Sequence, residues 1–338
     1  MSYQPPTLHR KSSAPWDRLR PVKQDPLESV GFVSKGDNRL LNLKTQESYY
    51  HKITARYMQF CAQNSKNLNE AFSSLSINDS TSSSECSRNS AGSSARLSSD
   101  VRPTTPAYTA RGLSASKFAP VQSVVAIVNP SEELSMILTA LRKLREGILA
   151  TSSSASSPVF SQRVHVFNIR LAILALHPES YHASLRYLLT ALHSHKYPLS
   201  STELREMLVY LILDTALRQD DLAEAYKIRS AAKMSSGFHD TQVDLILRAV
   251  VTADWPLFWR IRSKVDGYVR AIMHWKIDSL RRSVLKAIGK SYLKCDIDWI
   301  IKNATGNELD WDELVQKEDI GWQRDGHVAI IRKPKLKS

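Results

Sequence analysis

Cysteine and glycine are both scarce in this chain, and acidic residues are outnumbered by basic ones. Three cysteines in 338 residues, Cys61, Cys86 and Cys295, share no CxxC spacing, so neither a disulfide framework nor a zinc site is expected. Eleven glycines offer few places for backbone to close on a cofactor. The stretch Gly31-Phe-Val-Ser-Lys-Gly36 runs into Asp37 where a phosphate loop would need Lys-Ser or Lys-Thr. There is no GxSxG elbow and no HExxH motif. No apolar run reaches the roughly 18–20 residues of a membrane span, and Met-Ser-Tyr-Gln-Pro-Pro has no apolar signal region. The expectation is a protein of a reducing compartment, cytoplasm or nucleus, without membrane anchor, cofactor or small-molecule substrate.

The residues that remain for chemistry are poorly grouped. His177, His182, His193 and His195 cluster in sequence, but no two fall four apart on one helix, so they are not expected to hold a metal. Nothing in the sequence brings Cys295 to His274 as a nucleophile pair, and Asp220-Asp221 reads as a helix cap more readily than as paired catalytic carboxylates. An enzyme is not expected.

Charge is unevenly placed. Residues 131–254 balance, 13 basic against 13 acidic, while 1–72 carry 11 against 6 and 255–338 carry 17 against 11. A neutral middle suits protein contacts, and basic ends suit acidic partners or nucleic acid. Residues 1–48 have no sustained period and read as a disordered basic arm. Tyr50, Ile53, Tyr57 and Phe60 fall at helical spacing, which predicts an isolated helix within 49–75. Serine supplies 13 of the 28 residues from Ser73 to Asp100. Such a stretch cannot bury enough apolar surface to offset its conformational entropy, so 73–120 reads as a disordered linker. The disordered part thus amounts to the N-terminal third.

From Ser131 onward the periodicity is helical. Leu134, Ile137, Leu138, Leu141, Leu144 and Ile148 follow Ser131-Glu132-Glu133, a cap with two acids. Further helices are predicted at 159–176, 179–194, 201–219, 221–235, 239–252, 255–265 and 267–290. Within them a pattern recurs at 33-residue spacing: residues 216–231 return as 249–264, with Ala216/Ala249, Asp221/Asp254, Ile228/Ile261, Arg229/Arg262 and Ser230/Ser263 identical. A period in the low thirties is typical of stacked helix pairs, which cannot bury their apolar faces singly. Asp221, Tyr226, Asp254, Trp255, Phe258 and Trp259 are the residues expected to build the stack.

After Tyr292 the texture changes. Two short helices, around Ile297–Ile301 and Leu309–Val315, precede Ile320-Gly-Trp322-Gln-Arg-Asp325-Gly326-His-Val328-Ala-Ile330-Ile331. Asp-Gly between alternating runs is a strong hairpin signal. Turning on that pair sets Trp322 opposite Ala329, with Val328 and Ile330 on the other face. Helix, helix, helix, hairpin is the order of a winged helix, predicted over 291–333 with a basic tail at 334–338.

Stacked helical hairpins of TPR or HEAT type running into a terminal winged helix resemble the PCI domain. The features that carry the likeness are Ala249-x4-Asp254-Trp255-x2-Phe258-Trp259, the long helix through Arg281-Arg282 to Tyr292, and the Trp322–Ile331 wing. Residues 131–338 are similar to the family's smallest members, of the type of COP9 signalosome subunit eight, proteasome regulatory non-ATPase subunit eight and translation initiation factor three subunit k. The basic, serine-rich first 130 residues depart from that pattern. The resemblance implies a non-catalytic scaffold that joins other PCI-type subunits through its helical stack and winged helix, with Trp311, Trp322, Val328 and Ile330 as interface candidates. It implies as an alternative an RNA-associated PCI protein of the mRNA-export type related to germinal-centre-associated nuclear protein. Arg281, Arg282, Arg332, Lys333 and Lys335 would then make weak RNA contacts. The helix at Asn307–Leu314, with four acids and no base, would repel a duplex.

Overall fold

The computed structural model describes residues 25–68, 70–72, 129–151 and 157–332. Residues 1–24, the Ser-rich linker at 73–120, Lys333 and Lys335 lie outside the described residues. The fold is mainly helical, repeat-like, and ends in a small three-stranded antiparallel sheet.

Helix α1 spans Leu43–Gln63, α2 Pro130–Thr151, α3 Pro158–Leu174 and α4 Pro178–Tyr187, the last extended by a π turn at Leu188–Leu192. Then come α5 Ser201–Leu217, α6 Leu222–Ser236, α7 Thr241–Val251, α8 Trp255–Arg262 and the long α9 Gly267–Ser291. Strand β1 (Lys294–Asp296), α10 (Ile297–Thr305), α11 (Trp311–Glu318), β2 (Gln323–Asp325) and β3 (Val328–Ile330) close the chain. Pairs α3/α4, α5/α6 and α7/α8 each fold as antiparallel hairpins, while α9 packs along α3 and α5 and carries α10. α3 is buried around most of its circumference, as its continuous apolar sequence requires.

The 33-residue echo corresponds to two of these corners. Asp221 and Asp254 cap α6 and α8, accepting from the backbone N–H of Glu224 at 2.9 Å and Leu257 at 3.0 Å. Each follows a residue in left-handed backbone, Asp220 at φ 59° and Ala253 at φ 51°. The α3/α4 corner uses the same device: Leu176 has φ 51°, and His177 caps α4 through its ring. In both the first and third corners an N–H reaches back five residues, His177 to Ala172 O and Asp254 to Ala249 O, each at 2.9 Å. That is the Schellman closure of a helix end. The stack therefore has three such corners, one more than the echo indicates.

Three of the expected stack residues are not core. Tyr226 is 38% exposed, because α6 turns Ala225 and Ala232 inward and Tyr226 lies about 100° round from Ala225. Asp221 and Asp254 are exposed caps. Phe258 is fully buried, and Trp255 and Trp259 are half-buried against the core.

Residues 25–48, expected as a disordered arm, are packed instead. Leu27, Val30 and Leu40 join the core beside Tyr49 and Ile53 of α1. The Tyr49 hydroxyl donates to Leu27 O at 2.8 Å, and Gln46 donates to Leu40 O and to Thr151 Oγ1. A Cβ on Gly147 would come within 2.8 Å of Leu40, so the missing side chain is what admits the segment onto α2. Helix α1 is accordingly not isolated. It packs on α2 and meets α3 through edge-on contacts of Tyr50 with Phe160 and Phe167. Asn42 caps it, which sets its start ahead of the expected position.

Candidate interaction surface

The C-terminal unit is built on the end of α9. Aliphatic residues at 297, 300 and 304 face inward along α10, and Trp311 and Leu314 do so along α11. Asp310 and Glu313 form a reciprocal capping box, with bonds of 2.8 and 3.2 Å, that starts α11 at Trp311. Trp311 is only 6% exposed. It belongs to the unit's core and cannot be an interface residue, because the first helical position puts it on the same seam as Leu314.

The sheet order is β1-β3-β2. Strand β1 was not foreseen, since Lys294-Cys295-Asp296 shows no alternation; it exists because β3 offers it a partner. Its register pairs Lys294 with Ile330, Cys295 with Ala329 and Asp296 with Val328. On the other side Arg324 pairs with Ala329 and Asp325 with Val328. The hairpin thus turns on Gly326-His327, with Gly326 at φ 60°, not on Asp325-Gly326. A glycine at the first central position suits a primed two-residue turn. Trp322 does not pair with Ala329, but the slide is two residues, so the faces are those expected. Ala329 is fully buried, while Val328 and Ile330 lie half-exposed on the opposite face. Trp322 is half-buried and would stand 3.5 Å from a Cβ placed on Gly289 of α9.

The unit is joined to the helical stack by Trp259. Its indole N–H donates to Asn303 O at 3.0 Å, and its ring lies against Gly306, where a Cβ would come within 2.4 Å of Cε3. The Arg262 guanidinium stands 5.8 Å from the ring centre and pairs with Glu308. Arg281 and Arg282 of α9 form a second join: the Glu318 carboxylate accepts from Arg281 at 2.9 Å and from Arg282 at 3.3 Å.

That join corrects the reading of Arg281 as a nucleic-acid contact. Its side chain is 4% exposed and is already neutralised by Glu318 and Asp278. Arg282 is exposed but also faces Glu318. Arg332 donates to Lys290 O at 2.5 Å.

Sequence reasoning missed the most exposed apolar group of the unit. Tyr292, Leu293 and Trp299 are 44%, 51% and 39% exposed, and the Tyr292 and Trp299 rings lie 5.9 Å apart. The signal was available: Trp299 falls opposite the Ile297, Ile300 and Ala304 stripe on α10, at about 200° from Ile297 on a helical wheel. The patch adjoins β1, one of the sheet's two edges. The other edge, β2, has all three side chains exposed. Among the described residues neither edge has a second strand partner.

Cys295 and His274 are not tuned as a pair. Burial raises the Cys295 thiol and lowers His274, the reverse of what a thiolate–imidazolium couple needs. His177 accepts from Ser180 N, His182 meets Asp214 at 3.1 Å and His193 accepts from Leu199 N, so these rings serve separate structural tasks. Among the described residues no group of three metal-ligating side chains occurs, and no helix is long and apolar enough to cross a membrane. No protein-family model matches the chain, and a search of curated proteins finds no significant match.

Proposed function

We propose that the chain is a non-catalytic scaffold that binds other protein subunits through its C-terminal unit, in the manner of a PCI-type subunit. The observation that carries this reading is the Tyr292–Leu293–Trp299 patch beside a sheet with two open edges. Exposed apolar clusters and unpaired strand edges are the two surface features that proteins normally cover. The order strand, helix, helix, hairpin is that of a winged helix, and three stacked hairpins lead into it. The neutral charge of 131–254 supports protein contact along the stack. The complex would be of the proteasome-lid, COP9-signalosome or initiation-factor kind, working in cytoplasm or nucleus.

The test is affinity purification of the full chain with identification of its partners by mass spectrometry. Partners built of helical hairpins with a winged-helix end are expected with the wild type and lost with Trp299→Asp and Ile330→Asp. Both residues lie on the surface, so the variants should melt within a few degrees of the wild type. Unchanged recovery with both variants would overturn the assignment.

A further inference from the structure

Arg145 differs from the other enclosed arginines. Among the described residues, Arg56, Arg170, Arg218, Arg229, Arg262 and Arg281 are buried or half-buried, and each is paired with a carboxylate. In four of them the Nε–Nη2 edge grips both oxygens of one acid, as Arg170 does with Glu206 and Arg218 with Asp214. Arg145 has no acid. Its Nη1 donates to Ser180 O at 3.2 Å and Ser184 Oγ at 2.5 Å, while its Nε is buried without a partner. An enclosed guanidinium without a counter-charge is costly. Burial, with Arg142 nearby, pulls its pKa down to about 10.

This guanidinium lines a cavity of about 590 Å³ between α2 and α4. Ser135, Thr139 and Arg142 line it from the same side, as spacings of three and four residues on one helix require. His177 and Glu179 line it from the start of α4. Arg142 is also without an acid among the described residues; its guanidinium stands 5.7 Å from the Phe32 ring centre. The Glu179 carboxylate is 77% exposed and lies 3.4 Å from His177 Nδ1, so it does not neutralise either arginine. Two unpaired guanidiniums, two hydroxyls and an imidazole thus surround one space.

We propose that this cavity binds a phosphate group, with Arg145 and Arg142 as counter-charges and the Ser135 and Thr139 hydroxyls as donors. A carboxylate would satisfy one guanidinium and leave the other unpaired. A phosphate carries close to two charges and three or more acceptor oxygens, which matches the set. The group reaches the site either as free phosphate or on a phosphorylated serine, a residue abundant at 73–100.

Isothermal titration of the full chain distinguishes the two sources. One arm uses inorganic phosphate and the other a peptide copying residues 78–90 phosphorylated at Ser83, each against sodium chloride at matched ionic strength. Saturable binding is expected in at least one arm, and a peptide affinity about tenfold above phosphate would assign the phosphoserine source. Arg145→Met should reduce affinity by about tenfold or more while leaving the ligand-free melting temperature unchanged or higher, because a buried unpaired charge is removed. Arg142→Ala, on the surface, should lose affinity similarly and decides the matter if Arg145→Met does not fold. Absence of saturation in both arms, or wild-type affinity in the variants, overturns the site.

Discussion

Gly306→Ala tests whether the C-terminal unit is a fixed extension of the helical stack. Gly306 ends α10 at φ 63°, and an added Cβ would lie 2.4 Å from Trp259 Cε3 and 2.6 Å from Cδ2. Two costs combine. Left-handed backbone costs alanine about 1 kcal/mol, and forcing an extra methyl into a filled space costs about 1–3 kcal/mol. The ring cannot slide away freely, because its N–H is bonded to Asn303 O and Arg262 stands over its face. Gly237 supplies the control. It ends α6 at φ 65° with nothing within 4 Å of the built Cβ, so Gly237→Ala incurs the backbone cost alone.

Gly306→Ala should therefore lower stability by about 2–4 kcal/mol and Gly237→Ala by about 1 kcal/mol. Urea unfolding followed by circular dichroism measures both, read as a change of midpoint at constant slope. Adding Trp259→Leu to each background completes the test. Leucine leaves room for the methyl, so the excess cost at Gly306 should shrink in the double variant. If Gly306→Ala costs no more than Gly237→Ala, the Trp259 contact is not a packed joint and the reasoning fails.

Asp221→Ala and Asp254→Ala should each cost about 1 kcal/mol by the same urea assay, since each removes one cap bond. Glu318→Ala strips the buried Arg281 of its enclosed partner and leaves only the exposed Asp278, at a cost of about 3 kcal/mol; a loss under about 1 kcal/mol would mean the pair is not enclosed. His165 is buried, and burial first, then Arg145, hold its pKa down to about 3. Its folded value lies below the unfolded one, so the unfolded state takes up the proton first and stability falls as pH drops below about 6.5, by up to roughly 1.4 kcal/mol per pH unit from this ring. His165→Phe, which keeps a ring against Tyr187, should flatten the stability profile between about pH 6 and 4. An unchanged slope would show that His165 is not the group responsible.

What the sequence made legible follows the range of the interactions involved. The cap at Asp220-Asp221 and the faces of the final hairpin depend on neighbours within a few residues and are legible in the sequence. Tyr226 and Trp259 occupy equivalent repeat positions, yet one is exposed and the other covered, because only Trp259 meets a following unit. That difference is set by what packs next, which periodicity does not encode. Residues 25–48 were misread for the same reason. Leu27, Val30 and Leu40 have no period of their own and are buried only because α2 offers Gly147 and a matching surface. Strand β1, likewise, exists through its partner β3. The unpaired state of Arg145 was beyond reach, since it depends on which carboxylates the fold brings near.

The two equivalent arginines explain how the stack passes into the C-terminal unit. Arg229 reaches forward to Asp244 on the next helix, and Arg262, one period later, reaches forward to Glu308 beyond α10. The same position thus ties the second and third hairpins to the element that follows each, and the C-terminal unit occupies the place of a further repeat. A unit that merely terminated a stack would turn a polar face outward. This one is polar along β2 and α11 but keeps Tyr292, Leu293 and Trp299 exposed beside β1. The apolar character is confined to one side, and it lies on the unit that Trp259 and Glu318 hold fixed to α8 and α9. A rigid mount reduces the ordering cost of association, so a partner covering that side would gain most of the available burial. On the proposed scaffold reading, that surface is the seat for the next subunit.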